Sequence, residues 1–171
     1  MEMNFCRRCG TPVTHIENDT VYRCENEHTL FASPSPTVGI FFIDADLSTV
    51  FAVRGRDPGK GLLDTPGGFI DPRESVEAAL SRELEEELGL QYGDYEPPVY
   101  FASAPGTYRY QAEDRSVITL AYVSRLKPGV TLVPQDDVAD VKIIPLGNIN
   151  IDELANSDIK QLAHMLQQKM L

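Results

Sequence analysis

The most constraining stretch of this chain runs from Glu74 to Leu88, where an apolar stripe and a set of carboxylates fall on one side of an expected helix. Val76, Leu80, Leu84 and Leu88 recur every fourth residue, a spacing that a helix turns into a single stripe at about 100° per residue. With Glu83 set at zero, Leu80 falls at about +60°, Leu84 at about +100°, Glu87 at about +40° and Glu86 at about −60°. Glu87 therefore lies beside the stripe, Glu83 borders it, and Glu85, at about −160°, faces away. An ordinary charge run is a solvated face set opposite the apolar one and supported by lysines one turn on. This helix has neither feature. Glu83 and Glu87 repel each other at i, i+4, so they need a cation between them. Carboxylates converging on one side of a helix form a hard-oxygen cage suited to Mg²⁺ or Mn²⁺.

The rest of the chain suits a soluble domain around that helix. At 171 residues it fits one domain with a small appendage. No run approaches the ~18 apolar residues of a membrane helix, and Met1-Glu2-Met3-Asn4 lacks the basic start of a secretory signal. A cytoplasmic protein is expected, in which three cysteines serve as metal ligands or free thiols rather than disulfides. The net charge of −11 and pI of about 4.6 oppose binding to nucleic acid. They do not exclude a phosphate-bearing small molecule, because divalent cations can sit between acidic side chains and phosphate oxygens.

Composition divides the chain in two. Residues 1–33 hold all three cysteines and two of the three histidines. Ser33-Pro34-Ser35-Pro36 reads as a linker, since prolines block continuation of helix and sheet. From Thr37 to Leu171 the pattern is that of a packed domain. Strands are expected at Val38–Ile43, Val50–Val53, Tyr100–Ala102 and Val117–Val123, with a weaker one at Val141–Ile144. Pro66-Gly67-Gly68 reads as a loop and Ile151–Met170 as a second helix. Helices packed on a mixed sheet follow from that order.

In the first region, Cys6-Arg-Arg-Cys9-Gly10 is a Cys-x-x-Cys knuckle, and Cys24 and His28 follow with Cys-x-x-x-His spacing. Four such ligands in two pairs suit tetrahedral structural Zn²⁺. A segment this short has too little core to fold alone, and metal would supply what burial cannot. His15 is an alternative fourth ligand.

The segment Gly68–Leu90 resembles the Nudix box at every defined position: Gly68, Glu74, Arg82-Glu83, Leu84, Glu86-Glu87, Gly89 and Leu90 at the family's spacings. A chance match is rarer than about one in 10⁸ windows at typical residue frequencies. The resemblance implies an α/β class fold, the Nudix-type α/β/α sandwich, and Mg²⁺- or Mn²⁺-dependent hydrolysis of a diphosphate linkage. It implies metal ligation by Glu83, Glu86, Glu87 and the carbonyl of Gly67. Arg82 and Glu74 would form a supporting ion pair, and Glu83 or Glu86 could act as general base. In some branches the base comes from a later loop, where Glu113 and Asp114 are candidates, although a solvent-facing hairpin tip is the simpler reading of both. The N-terminal region resembles the zinc ribbon preceding the NADH pyrophosphatase branch, with one departure: Glu27 stands where a fourth cysteine is expected and His28 comes one place later.

The segment Ser103–Tyr110 occupies the place of the family's specificity signatures. It matches the NADH signature only at Ser103 and Pro105. Tyr108 or Tyr110 could stack on a base, and Arg109 or Arg115 could pair with a phosphate. The expected partner is thus a small-molecule nucleotide of the NADH or ADP-ribose kind, with neither nucleic acid nor membrane involved and a homodimer allowed. The alternative is a non-catalytic, nucleotide-sensing or partner-binding module; retention of the repulsive glutamate cluster favours the enzyme.

Overall fold

The structure is a computed structural model that describes residues 3–17 and 20–171. The reading of the chain's start, which rests on Met1 and Glu2, and the first two residues of the 1–33 region lie outside them. Strands β1 (Val13–Glu17), β2 (Val21–Cys24) and β3 (Thr29–Phe31) make an antiparallel meander. Its core is small: Tyr22 and Leu30 are fully buried, with Cys6, Val13 and Cys24 packed around them.

The larger unit contains β4 (Ser35–Phe42), β5 (Ser48–Arg54), β6 (Leu63–Asp64), β7 (Gly67–Phe69), α1 (Val76–Leu88), β8 (Val99–Tyr110), β9 (Glu113–Ser124), β10 (Val138–Pro145) and α2 (Ser157–Met170). Four strands form a mixed sheet in the order β7-β4-β9-β8, in which β4 runs parallel to β9 and antiparallel to β7. A second sheet has the order β10-β5-β6. Alternation along β4 explains why the sheet is covered twice. Val38, Ile40 and Phe42 pack with Leu80, Leu84 and Leu88 of α1, whereas Phe41 packs with Ile159, Leu162 and Leu166 of α2. A strand buried on both faces reads as a continuous apolar run, and the result is the expected α/β/α sandwich.

Four local expectations are corrected. Ser35 and Pro36 are not linker but open β4, opposite Val117 and Ile118; a proline is tolerated near the start of a strand. Gly67 and Gly68 are not loop but short strand, facing Gly39 and Val38. Strand β8 runs well beyond Tyr100–Ala102 because it is zipped to β9 through a tight turn at Gln111 and Ala112, with φ of 48° and 65°. That geometry usually calls for Asn or Gly, so the residues of the turn did not show how far the strands on either side of the expected hairpin tip extend. The last helical segment is interrupted: Ile151–Glu153 is a 3₁₀ turn, and α2 starts only after Asn156.

Candidate active site

A cavity of about 260 Å³ opens between α1, the sheet and the start of α2. Its first wall is α1, begun by Ser75, whose side chain accepts the Ala78 N–H. Glu83 and Glu87 project from α1 into the cavity, beside the buried Leu80 and Leu84. Glu87 is only 8% exposed, and its Oε2 accepts the Gly67 N–H at 2.8 Å. Burial pushes its carboxyl up to about 9, with Glu83, Asp137 and Asp64 adding to the rise. Burial likewise raises Glu83, against the opposing pull of Arg82. A buried carboxylate beside a half-buried one is costly to ionise without positive charge beyond the Arg82 that pairs with Glu83. Hard oxygen donors of this kind fit Mg²⁺ or Mn²⁺.

The glycines beside them are required by space. A Cβ on Gly67, whose φ is +138°, would stand 2.1 Å from the Val38 carbonyl oxygen. One on Gly68 would stand 2.6 Å from Glu83 Oε1. Any side chain at Gly68 would displace the Glu83 carboxylate.

Arg82 braces the loop before α1. Its Nε and one terminal nitrogen both bond to Glu74 at 3.0 Å, and that same nitrogen reaches the Phe69 carbonyl. The other terminal nitrogen bonds to Glu83 at 2.7 Å and to Glu86 at 3.0 Å. This bidentate pairing holds Glu74 below the usual carboxylate range. Glu86 is the most open of the cluster, with half of its side chain exposed.

Asp137 is the carboxylate that the sequence reading missed. It precedes β10, lines the cavity, and raises both Glu83 and Glu87 by its charge. Its sequence signal was weak: an Asp136-Asp137 pair before a strand. Glu113 and Asp114, in contrast, sit exposed at the start of β9, where Asp114 pairs with Arg109 at 3.4 Å.

Of the segment Ser103–Tyr110, Tyr108 is the side chain from the specificity set that lines the cavity. It packs edge-on against Phe69 at 5.4 Å and stacks with Tyr110 at 6.5 Å. Side chains alternate along a strand, so Pro105 and Arg109 take the opposite face from Tyr108. Arg115 lies across from Tyr108 but is exposed and outside the cavity lining.

A second cluster lies in the N-terminal meander. The ligand atoms of Cys6, Cys9, Cys24 and His28 all fall within 4.8 Å of one another. Cys6 Sγ is 3.6 Å from His28 Nδ1, and Cys9 Sγ is 3.7 Å from Cys24 Sγ. Tetrahedral zinc with bonds of about 2.3 Å to sulfur spaces its ligands by about 3.7 Å, so the cluster has the right dimensions. His28, and not His15, is its fourth member. Glu27 adopts a left-handed φ of 59°, so the chain turns back for one residue before His28. Thr11 and Asn26 lie beside Cys9 and pull its thiol down to about 5, toward the thiolate that binds metal.

Comparison with known proteins gives one consistent picture. Residues 33–165 match the NUDIX domain model. The chain is 28% identical over 107 residues to a NAD-capped RNA hydrolase of Pasteurella multocida, covering 61% of this chain and 39% of the relative. It is 38% identical over 65 residues to an ADP-ribose pyrophosphatase of Methanocaldococcus jannaschii, covering 37% of each. The chain thus spans well under half the length of these curated relatives. Among solved structures, a NUDIX hydrolase from Nitrosomonas europaea shares the fold, with a TM-score of 0.68 at 21% identity over 98% of this chain and 92% of that one.

Proposed function

The chain belongs to the NUDIX family, and on that footing we propose that it hydrolyses the diphosphate linkage of a nucleoside diphosphate derivative, of the NADH or ADP-ribose kind, releasing a nucleoside monophosphate. The observation that carries this reading is the convergence of Glu83, Glu87 and Asp137 on one cavity, where burial disfavours Glu83 and Glu87 as anions. Glu83, Glu86 and Glu87, the Gly67 carbonyl and Asp137 would hold Mg²⁺ or Mn²⁺. Such an ion polarises phosphoryl oxygens and lowers the pKa of bound water.

The chain's own residues do the rest. Arg82 and Glu74 keep the box loop on α1, so that the carboxylates converge. Whichever of these carboxylates the metal leaves free would accept the proton of the attacking water; Glu83 and Asp137 line the cavity, and Glu86 stands beside them, bonded to Arg82. Tyr108, backed by Phe69 and Tyr110, offers a face on which a nucleobase stacks. Pro105, Arg109 and Arg115 lie away from the cavity and are given no part in this reading. A net charge of −11 favours a free nucleotide over a nucleic acid. We assign residues 1–33 to a structural zinc module, held through Cys6, Cys9, Cys24 and His28, and residues 37–171 to the hydrolase. Among the described residues, no helix is long and apolar enough to cross a membrane, and free cysteines suit the reducing cytoplasm.

The test is kcat/KM for NADH, ADP-ribose, diadenosine polyphosphates and nucleoside triphosphates, with Mg²⁺ and with Mn²⁺. Metal-dependent release of a nucleoside monophosphate is expected, strongest for the first two. A preference for triphosphates would remove the substrate assignment, and tight binding without turnover would favour a sensing module.

A further inference from the structure

Among the described residues, the cavity has two cations in its lining, Arg54 and Arg82, and they differ in what they have left to give. A guanidinium carries five N–H donors. Arg82 spends all five on Glu74, Glu83, Glu86 and the Phe69 carbonyl. Arg54 spends two well: Nε donates to the Pro58 carbonyl and one terminal nitrogen to Asp64, each at 2.8 Å. Its other terminal nitrogen has, among the described residues, one contact with the Tyr108 hydroxyl at 3.5 Å, at the outer limit for a hydrogen bond.

We propose that Arg54 is the anion clamp of this site, taking the phosphate of the substrate's diphosphate that the box carboxylates and their metal do not hold. The proposal rests on the hydrolase reading above. Several features prepare Arg54 for the task. The Pro58 carbonyl and Asp64 fix one edge of the guanidinium, and the Tyr108 ring lies 5.9 Å from its central carbon. Asp64 is itself fastened by the Thr65 N–H at 2.9 Å and the Asn156 amide at 3.3 Å. The free edge is thereby presented in one orientation, and a planar fork of donors matches two phosphate oxygens. The Arg54 side chain is 15% exposed, reachable from the cavity yet shielded from bulk water. Its contact with Tyr108 sets the clamp beside the aromatic face, as a nucleotide with its base on one and its phosphate on the other requires. Arg109 lacks these features: it is 68% exposed and paired with Asp114.

The experiment measures binding of AMP and of the α,β-methylene analogue of ADP by calorimetry with Mg²⁺, alongside kcat and KM for ADP-ribose. Wild-type protein should prefer the analogue, whose second phosphate reaches Arg54. Arg54→Gln should reduce that preference by about 10-fold or more, the scale of a lost charged hydrogen bond. AMP binding should stay within about 2-fold, and the loss with ADP-ribose should fall mainly on KM. Arg54→Lys should lie between, because it keeps the charge and loses the fork. Should Arg54→Gln fail to fold, with Asp64 left buried alone, the double variant Arg54→Gln, Asp64→Asn removes both charges and is read in the same way. Equal losses for AMP and the analogue, or no loss for either, overturn the clamp, as does a wild type without preference. A wild type that shows the preference, loses it in Arg54→Gln and hydrolyses nothing supports the clamp and removes the hydrolase reading instead.

Discussion

The two candidate metal centres of this protein sit in opposite structural circumstances. The Cys6, Cys9, Cys24 and His28 cluster lies within a meander whose own core is little more than Tyr22, Leu30 and Val13. The carboxylate cluster lies on a helix already anchored by Leu80, Leu84 and Leu88 in a two-sided sandwich. In the first, soft ligands take the place of a core. In the second, an adequate core is spent on holding like charges together. Metal should therefore maintain the fold at one site and enable function at the other, and the comparison can be broken by removing each in turn.

The largest effect is expected at the ribbon. The purified protein should carry about one zinc per chain, and Cys9→Ser should release it and unfold the meander, since structural zinc contributes roughly 10 kcal/mol or more of folding free energy. Proteolysis of the first 33 residues and elemental analysis report this. Survival of an ordered meander without zinc would erase the contrast. Next comes the carboxylate cluster. Glu86→Gln or Glu87→Gln should lower turnover by about 10²-fold or more, while Glu85→Gln, on the outward face, should leave it unchanged. Unlike the cysteine change, Glu87→Gln should not lower the melting temperature of the metal-free protein, because it replaces a carboxyl that burial disfavours as an anion with a neutral amide whose oxygen can still accept the Gly67 N–H.

A smaller effect sharpens the same point through pH. Burial raises Glu87 from 4.5 to about 9, so the folded state binds more protons than the unfolded one. Stability of the metal-free protein from this group is full below about pH 4.5 and is lost as pH rises towards 9. Mg²⁺ competes with that proton, so its stabilising effect should grow across the same window. A melting-temperature gain on adding Mg²⁺ that is the same at pH 6 and pH 8.5 would sink this account. The smallest effect is at the aromatic face, where Tyr108→Ala should weaken substrate binding by about 1–3 kcal/mol, seen in KM. No change there would leave base stacking to other residues.

The box helix and the grouping of Cys6, Cys9, Cys24 and His28 were legible in the sequence because both are local patterns. A helix converts a four-residue repeat into a stripe, so the position of Glu83 and Glu87 beside Leu80 and Leu84 follows from counting. Two candidate ligand pairs separated by a short gap likewise suggest a metal knuckle, and the left-handed turn at Glu27 adds only the reason why His28 joins the cluster one place late. The order of the elements implied helices packed on a mixed sheet, and the resemblance to the Nudix box implied the sandwich.

What the tertiary structure decided were the encounters between distant segments. Asp137 meets Glu83 and Glu87 only because β10 is laid along β5. Tyr108 reaches the cavity, and Arg109 does not, because β8 and β9 pair in one register and side chains alternate along a strand. Arg54, Asp64, Asn156 and Tyr108 come from four separate stretches of chain, and their hydrogen bonds have no sequence period to betray them. A pattern confined to one helix or one turn is written in local spacing. A cavity is assembled from strand register and chain crossings, which no local spacing records.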